Sequence, residues 1–296
     1  MILSIYHEIV KLASQKKHYI MLIGFAFLVF LMILIFRHIH EDLQKASGDM
    51  VKQMPFYLQL IAPDPVKLCD GLMFSRFTGY ILFWVVMPIF AFMFAGESIA
   101  GEQQDGTLRV YLSRGFSRTK IVIAKFIAVF AVILFYSMVF AALTMLIGIT
   151  FFGLSKMQIT LFWGNPGDPG QMGTIGLVSA KRAIFAYFAS ALYASFAISS
   201  ISSVSFMISV FVKRMSVAAT GGMVFFFVSF ILQAVFSQYA KEIEPFLITR
   251  VMEGYSQIYA IEDIDWSSIA KSVSVMCIYW AVCVTTPVVV LNIKEY

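Results

Sequence analysis

The sequence predicts an all-α integral membrane protein with six transmembrane helices, and three observations predict it. The chain of 296 residues is 60% hydrophobic and 13% charged, where soluble domains run nearer 45–50% and about 25%. Six apolar runs approach the roughly 20 residues that cross a bilayer: Tyr19–Phe36, Gly79–Ala95, Phe126–Phe152, Ala183–Val212, Val217–Phe236 and Ser272–Leu291. Lys and Arg gather in alternate connections between them, the asymmetry that orients a membrane protein.

The elements follow in chain order. In residues 1–18, Ile2, Ile5, Tyr6, Ile9, Val10, Leu12 and Ala13 share one side at helical spacing, with Ser4, His7, Glu8, Lys11 and Gln15 opposite. That pattern predicts an amphipathic helix lying in the membrane interface with its lysines at the headgroups. An ordinary solvated extension is the alternative. The spans are placed at about 19–36, 77–96, 122–153, 183–212, 216–237 and 268–291. The first span has no small-residue cleavage site after it, so it does not read as a cleaved leader.

The outer connections are 37–76, 154–182 and 238–267. The first predicts a short helix around Glu41–Leu60, interrupted at Pro63 and Pro65. The second holds the Gly/Pro cluster of residues 163–173, which excludes a helix. The third predicts one or two short helices at the membrane surface.

Orientation follows from the basic residues. Lys11, Lys16 and Lys17 precede the first span, Arg109, Arg114, Arg118, Lys120 and Lys125 lie between the second and third, and Lys213-Arg214 joins the fourth and fifth. Lys294 follows the sixth. The fifth-to-sixth connection is acidic, with Glu242, Glu244, Glu253, Glu262, Asp263 and Asp265 against Lys241 and Arg250. These place both termini in the cytoplasm. Lys181-Arg182 is the local exception. The net charge of +5 is accounted for by these loops and implies no nucleic acid.

Several chemistries are excluded. No Asp, Glu, Lys, Arg or His falls inside the six runs, which argues against ion- or proton-coupled transport. GxxxxGK[ST], HExxH and GxSxG are absent, so the chain carries no ATPase site and reads as no enzyme. Cys69, Cys277 and Cys283 form no CxxC, and His38 and His40 have no third ligand nearby, so no metal is expected.

The stretch Glu97–Lys125 reads as a docking element between two spans. Asp105-Gly106 favours a sharp turn, and Gly106 lets a partner's backbone approach. Thr107–Leu112 then predicts a short helix, with Leu108 and Leu112 on one face for an apolar groove and Arg109 and Arg114 flanking it. Ser117 suits an N-cap for the third span. Glu97 and Glu102 are placed to pair with Arg118 or Lys125 across the two helix ends. An ordinary basic loop is the alternative.

This stretch resembles the ABC-2 type permeases, the membrane subunits of a class of ATP-binding-cassette exporters. Glu97, Glu102, Gly106-Thr107-Leu108, Leu112-Ser113, Arg118 and Lys125 stand where that pattern has its acidic pair, Gly-Thr-Leu, Leu-Ser, Arg and Lys. Gly115-Phe116 and Ala124 depart from it. The order of elements is similar over nearly the whole chain, as in the subfamily with a large first outer loop. The resemblance implies a cytoplasmic coupling helix between spans 2 and 3, a separate ABC ATPase in two copies, and a second permease copy as a homodimer. ATP and Mg would bind the ATPase, with no cofactor on this chain. It also implies the cytoplasmic membrane of a bacterium or archaeon, and outward transport; the amphipathic first helix and the aromatic-rich spans suit an amphiphilic or lipid-like cargo. An ATPase-linked scaffold whose outer loops bind a partner protein is the alternative.

One face of the fourth span is built of small residues, Ala191, Ser195, Ser199 and Ser203, at four-residue spacing. Such a face allows close helix packing through short side chains and hydroxyls. Lining of a translocation route is the other reading.

Overall fold

The computed structural model describes residues 2–53, 70–108, 117–155, 157–161, 175–239, 247–260 and 266–293. In order they form α1 (Ile2–Ala13), α2 (Lys17–Gln53), α3 (Gly71–Gln104), α4 (Arg118–Phe152), β1 (Met157–Leu161), β2 (Ile175–Ser179), α5 (Ala180–Ile208), α6 (Met215–Tyr239), α7 (Ile248–Ala260) and α8 (Trp266–Ile293). Six of these helices, α2, α3, α4, α5, α6 and α8, are long and apolar enough to cross a membrane. The chain is a multi-pass membrane protein.

Burial ranks the helices. Within its most apolar window α5 is 61% buried and α8 is 22% buried, so α5 is central and α8 peripheral. Small side chains explain why α5 holds the centre. The Cβ that Gly222 of α6 lacks would lie 2.7 Å from Ser205 Cβ and 2.8 Å from Phe92 Cδ1 of α3. That of Gly96 in α3 would lie 2.7 Å from the backbone nitrogen of Ala219. Ser205 Oγ, in the resulting three-helix contact, sits 2.9 Å from the Ala218 carbonyl and 3.1 Å from the Phe92 carbonyl. Helices pack this closely in membranes only where side chains are short.

α3 is continuous but not uniform. Leu82–Val86 widen into a π-helical turn just before Pro88. Proline has no N–H to continue the ladder and its ring crowds the preceding turn, which the extra residue per turn relieves. Asp70 caps the start of α3: Met73 N–H donates to its Oδ1 and Ser155 N–H to its Oδ2, each at 3.0 Å. Gly71 N–H donates to the Gly153 carbonyl at 2.8 Å, and Gly71 lies against Gly148 with no room for a Cβ. The start of α3 and the end of α4 are thereby joined.

Two expectations, on the connections at 37–76 and 238–267, need correction. The described parts of 37–76 are helical: α2 runs on past Phe36 to Gln53, and α3 starts at Gly71 rather than near 77. Arg37–Glu41 and His38–Asp42, each four apart, support the polar continuation of α2. Pro63 and Pro65 lie outside the described residues.

A short hairpin accompanies the helices of this all-α membrane chain. β1 and β2 pair antiparallel, Met157 opposite Ser179 and Leu161 opposite Ile175. Residues 163–173 lie outside the described residues.

The helix expected at the membrane surface, α7, is packed into the bundle. Ile248, Thr249, Val251, Met252 and Tyr255 are buried, and Tyr193 OH of α5 donates to the Val251 carbonyl at 2.8 Å. Tyr193 is about 20 Å along α5 from Ala180 at 1.5 Å per residue, so α7 reaches well into the depth of the bundle. Thr249 Oγ1 donates to the Ser229 carbonyl of α6, and the Tyr255 ring lies 5.2 Å from that of Phe83.

The expected amphipathic helix is present as α1. It packs along α4, with Leu12 buried and Glu8 partly so, while Tyr6 and Val10 face outward. Arg118, at the start of α4, donates to carbonyls at the end of α8, so α1 and the last turn of α8 lie at one end of the bundle. That end is called the α1 end below.

Candidate functional site

The site is assembled at the α1 end from three pieces of chain: α1, the last turns of α3 and the first turns of α4. α3 ends because Gly106, at φ 72°, takes the left-handed conformation that L side chains resist. Asp105 N–H donates to the Gly101 carbonyl and Gly106 N–H to that of Gln103. The expected turn at Asp105-Gly106 is present. Helical residues resume at Thr107 and Leu108. Arg109, Leu112, Ser113 and Arg114 lie outside the described residues.

Glu102 is the hub. It is 3% exposed, and its Oε1 accepts from Lys125 Nζ at 2.7 Å and from Lys11 Nζ at 2.5 Å. Lys125, 2% exposed, also donates to Glu8 Oε1 at 3.0 Å. Two carboxylates and two ammonium groups thus form an electrically balanced chain, Lys11–Glu102–Lys125–Glu8, that holds α1, α3 and α4 together. A buried charge without a partner is expensive, and each charge in this cluster has one. The four groups come from positions up to 117 residues apart.

Of the pairings expected across the helix ends, Glu102 with Lys125 forms. Arg118 turns away: its Nη1 donates to the carbonyls of Leu291 and Asn292, the second at 3.3 Å. The last carbonyls of a helix have no intrahelical donor and carry the negative end of its dipole, so a guanidinium satisfies them on both counts. Glu97 packs against Gly101, where a Cβ on that glycine would meet its Cγ at 2.8 Å. Ser117 stands at the N-cap of α4 with extended backbone, but its side chain makes no capping hydrogen bond.

Leu108 does not present itself outward as the groove-filling reading required. It is 1% exposed and belongs to the chain's own core. The exposed part of the described connection is Gln104–Thr107, with Gln103 Nε2 reaching the Val210 carbonyl at the end of α5 at 3.5 Å.

From residue 29 to residue 295 the chain matches the family described as "Protein of unknown function (DUF2705)". The chain belongs to that family. No curated protein matches it. The matched region of this DUF2705 chain covers five of its six spans entire and most of the first, and it includes Glu102, Arg118 and Lys125 but not α1.

Sequence reasoning missed three participants. Lys11 is expected at the headgroups and Glu8 only on the polar face, although their three-residue spacing puts them on one helical face, a signal for a shared partner. His18 was not singled out. Its ring is stacked between Phe94 at 5.1 Å and Tyr136 at 5.2 Å, and Nε2 lies 2.5 Å from the Leu12 carbonyl, where it must donate. It fastens the end of α1 to the start of α2. The absence of ionisable residues inside the apolar runs holds for those runs, but the helices are longer, and they bury Arg76, Glu102 and Lys125 as well as His18.

The small face of α5 is buried throughout: Ala191, Ser195, Ser199 and Ser203 have almost no exposure. Ser195 and Ser203 donate to the carbonyls of Leu192 and Ser200, three residues back in their own helix. Hydroxyls that reach other helices include those of Ser205, of Ser200, 3.4 Å from the Met276 carbonyl of α8, and of Ser203, which meets the Cys283 thiol of α8. In this structure that face is a packing surface.

Proposed function

We propose that this chain is the permease subunit of an ABC-2 type exporter, moved from its cytoplasmic face by a separate ATP-hydrolysing subunit. The α1 end is then the cytoplasmic end, and the α3–α4 connection is the coupling element. The observation that carries this reading is the ion-pair chain Lys11–Glu102–Lys125–Glu8, whose central pair, Glu102 and Lys125, is buried. A loop that merely joins two spans needs no buried ion pairs. A lever needs them, because a push on the exposed tip at Gln104–Thr107 must move α1, α3 and α4 as one body. Arg118 extends the same body to α8. Two permease copies and two ATPase copies complete the assembly, and the cargo is amphiphilic or lipid-like, carried outward. ATP and Mg belong to the ATPase.

The deciding experiment is affinity purification of the tagged full chain from its native membrane, followed by vesicle reconstitution of what co-purifies. An ABC ATPase at a one-to-one ratio, with ATP turnover that depends on the chain, is the expected result. A chain that purifies alone and moves solute without ATP overturns the reading.

The continuation of α2 past its apolar span to Gln53 favours a second reading, an ATPase-linked scaffold that holds a partner protein at the opposite end. Under it the same complex is recovered, but ATP turnover is indifferent to any added amphiphile.

A further inference from the structure

A groove of about 570 Å³ opens on the side of the bundle between α5, α6 and α8. Its walls are hydrocarbon, with Val204 and Ile208 from α5, Phe225 from α6 and Val275 from α8. The polar side chains lining it are Tyr279 and Cys283. Ile278 and Val282 form its rim and are more than half exposed. The volume lies within the range of about 300–1,000 Å³ typical of ligand pockets. The groove is within the apolar length of three spans, where the surrounding medium is acyl chain.

The near end of the groove is fixed by Ile208, against which Gly221 of α6 packs, with room for a Cβ only 3.0 Å from Ile208 Cδ1. Seven residues before Gly221 stands Arg214, preceded by Lys213. At 1.5 Å per residue, these two cations lie about 10 Å below the floor of the groove. That is the depth at which a lipid whose chain occupied the groove would hold its phosphate, since the headgroup layer is roughly 5–7 Å thick on each side of the hydrocarbon and Lys and Arg reach along it. Both residues are exposed, and neither makes an ion pair among the described residues. Phe211, Met215 and Val217 around them are exposed apolar residues, as suits a turn seated at the interface.

We infer that this groove is a binding site for an anionic phospholipid of the leaflet at the α1 end, one acyl chain lying between α5, α6 and α8 and the phosphate held by Lys213 and Arg214. Charge selects the lipid over a second copy of the chain. Among the described residues, the carboxylates Glu8 and Glu102 at this end are consumed within one chain's own ion-pair cluster. Asp105 is the carboxylate left exposed there, at the tip of the α3–α4 connection.

The test is native mass spectrometry of the detergent-purified full chain, titrated separately with phosphatidylglycerol and phosphatidylcholine of matched acyl chains. The intact chain retains one phosphatidylglycerol under activation that strips phosphatidylcholine. Lys213→Gln with Arg214→Gln lowers phosphatidylglycerol retention roughly ten- to thirtyfold, to the level of phosphatidylcholine. Val282→Trp, at an exposed rim position that leaves the core untouched, removes the retained lipid whatever its headgroup. Equal retention of the two lipids by the intact chain overturns the charge recognition. Undiminished lipid in Val282→Trp overturns the groove. If Val282→Trp instead converts a dimer to a monomer with lipid retention unchanged, the groove belongs to a second copy, and the inference fails. Size-exclusion elution at the native position certifies each variant as folded.

Discussion

Glu102 Oε1 lies 2.7 Å from Lys125 Nζ, and both side chains are withdrawn from solvent at the junction of α3 and α4. The pair is breakable from either side, and the consequences are unequal to those of removing both. Lys125→Met leaves Glu102 and Glu8 facing each other with only Lys11 to neutralise them. Breaking a buried pair costs about 3–5 kcal/mol. The expected result is a thermal midpoint lowered by several degrees in detergent. Adding Glu102→Gln to Lys125→Met recovers much of that loss, because the excess negative charge has gone too, leaving Glu8 and Lys11 balanced. A double variant as unstable as the sum of the single variants would show that the two groups do not interact.

That pair also shows where sequence alone stops. Six spans were legible because hydropathy is summed over some 20 residues and tolerates local noise. The pairing of Glu102 with a cation at the start of α4 was legible because a short connection brings the two helix ends together. Glu8 and Arg118 were assigned elsewhere, since nothing local says that α1 lies on α4 or that α8 ends beside Arg118. α7 was misplaced for a different reason. Its amphipathic spacing reads the same whether the apolar stripe meets lipid or, as here, α3, α5 and α6. β1 and β2 are five residues each. Such runs are too short to stand out, although apolar and β-branched residues on either side of a Gly/Pro cluster are the pattern of a hairpin.

Arg118 is predicted to act on the far end of the chain. Its guanidinium satisfies carbonyls at Leu291 and Asn292, so Arg118→Ala leaves the last turn of α8 without its donor. Backbone amides near the end of α8 should then lose hydrogen-exchange protection, with α1 and α3 unchanged. Arg118→Lys should restore part of it, because the charge remains at the negative end of the helix but the forked geometry does not. Uniform loss of protection across the bundle would mean that Arg118 supports the whole fold instead.

The seat of α7 rests on one hydroxyl and one glycine. Tyr193 OH donates to the Val251 carbonyl, and a Cβ on Gly254 would lie 2.4 Å from that same oxygen. Gly254→Ala therefore displaces Tyr193 and breaks its hydrogen bond, at a cost of roughly 1–3 kcal/mol for the overpacked contact. Tyr193→Phe makes no clash and loses that bond and the hydroxyl's contact with Ser272 of α8, about 1 kcal/mol each. Combining Gly254→Ala with Tyr193→Phe should cost somewhat less than the two separately, since the nearest clashing atom is gone, while Cζ and Cε1, at 2.6 and 2.9 Å from the added Cβ, still have to shift. Protease sensitivity near α7, measured alongside thermal stability, reads both effects. Full additivity would count against the contact.

The last prediction separates the surface of the coupling connection from its core. Leu108 is buried in the chain's own interior, so Leu108→Asp places a carboxylate among apolar neighbours and should destabilise the permease itself, visible as a lower thermal midpoint before any partner is added. Asp105 and Thr107 are exposed on the tip. Asp105→Arg with Thr107→Arg should leave the midpoint within a degree or two, while weakening retention of the ATPase at least tenfold in a pull-down from native membranes. Gly106→Val tests the turn between them: a β-branched residue at positive φ costs roughly 1–2 kcal/mol, enough to shift the tip without unfolding the bundle. If the paired arginines leave ATPase retention unchanged in a folded chain, the tip is not where the partner binds, and the proposed lever has lost its handle.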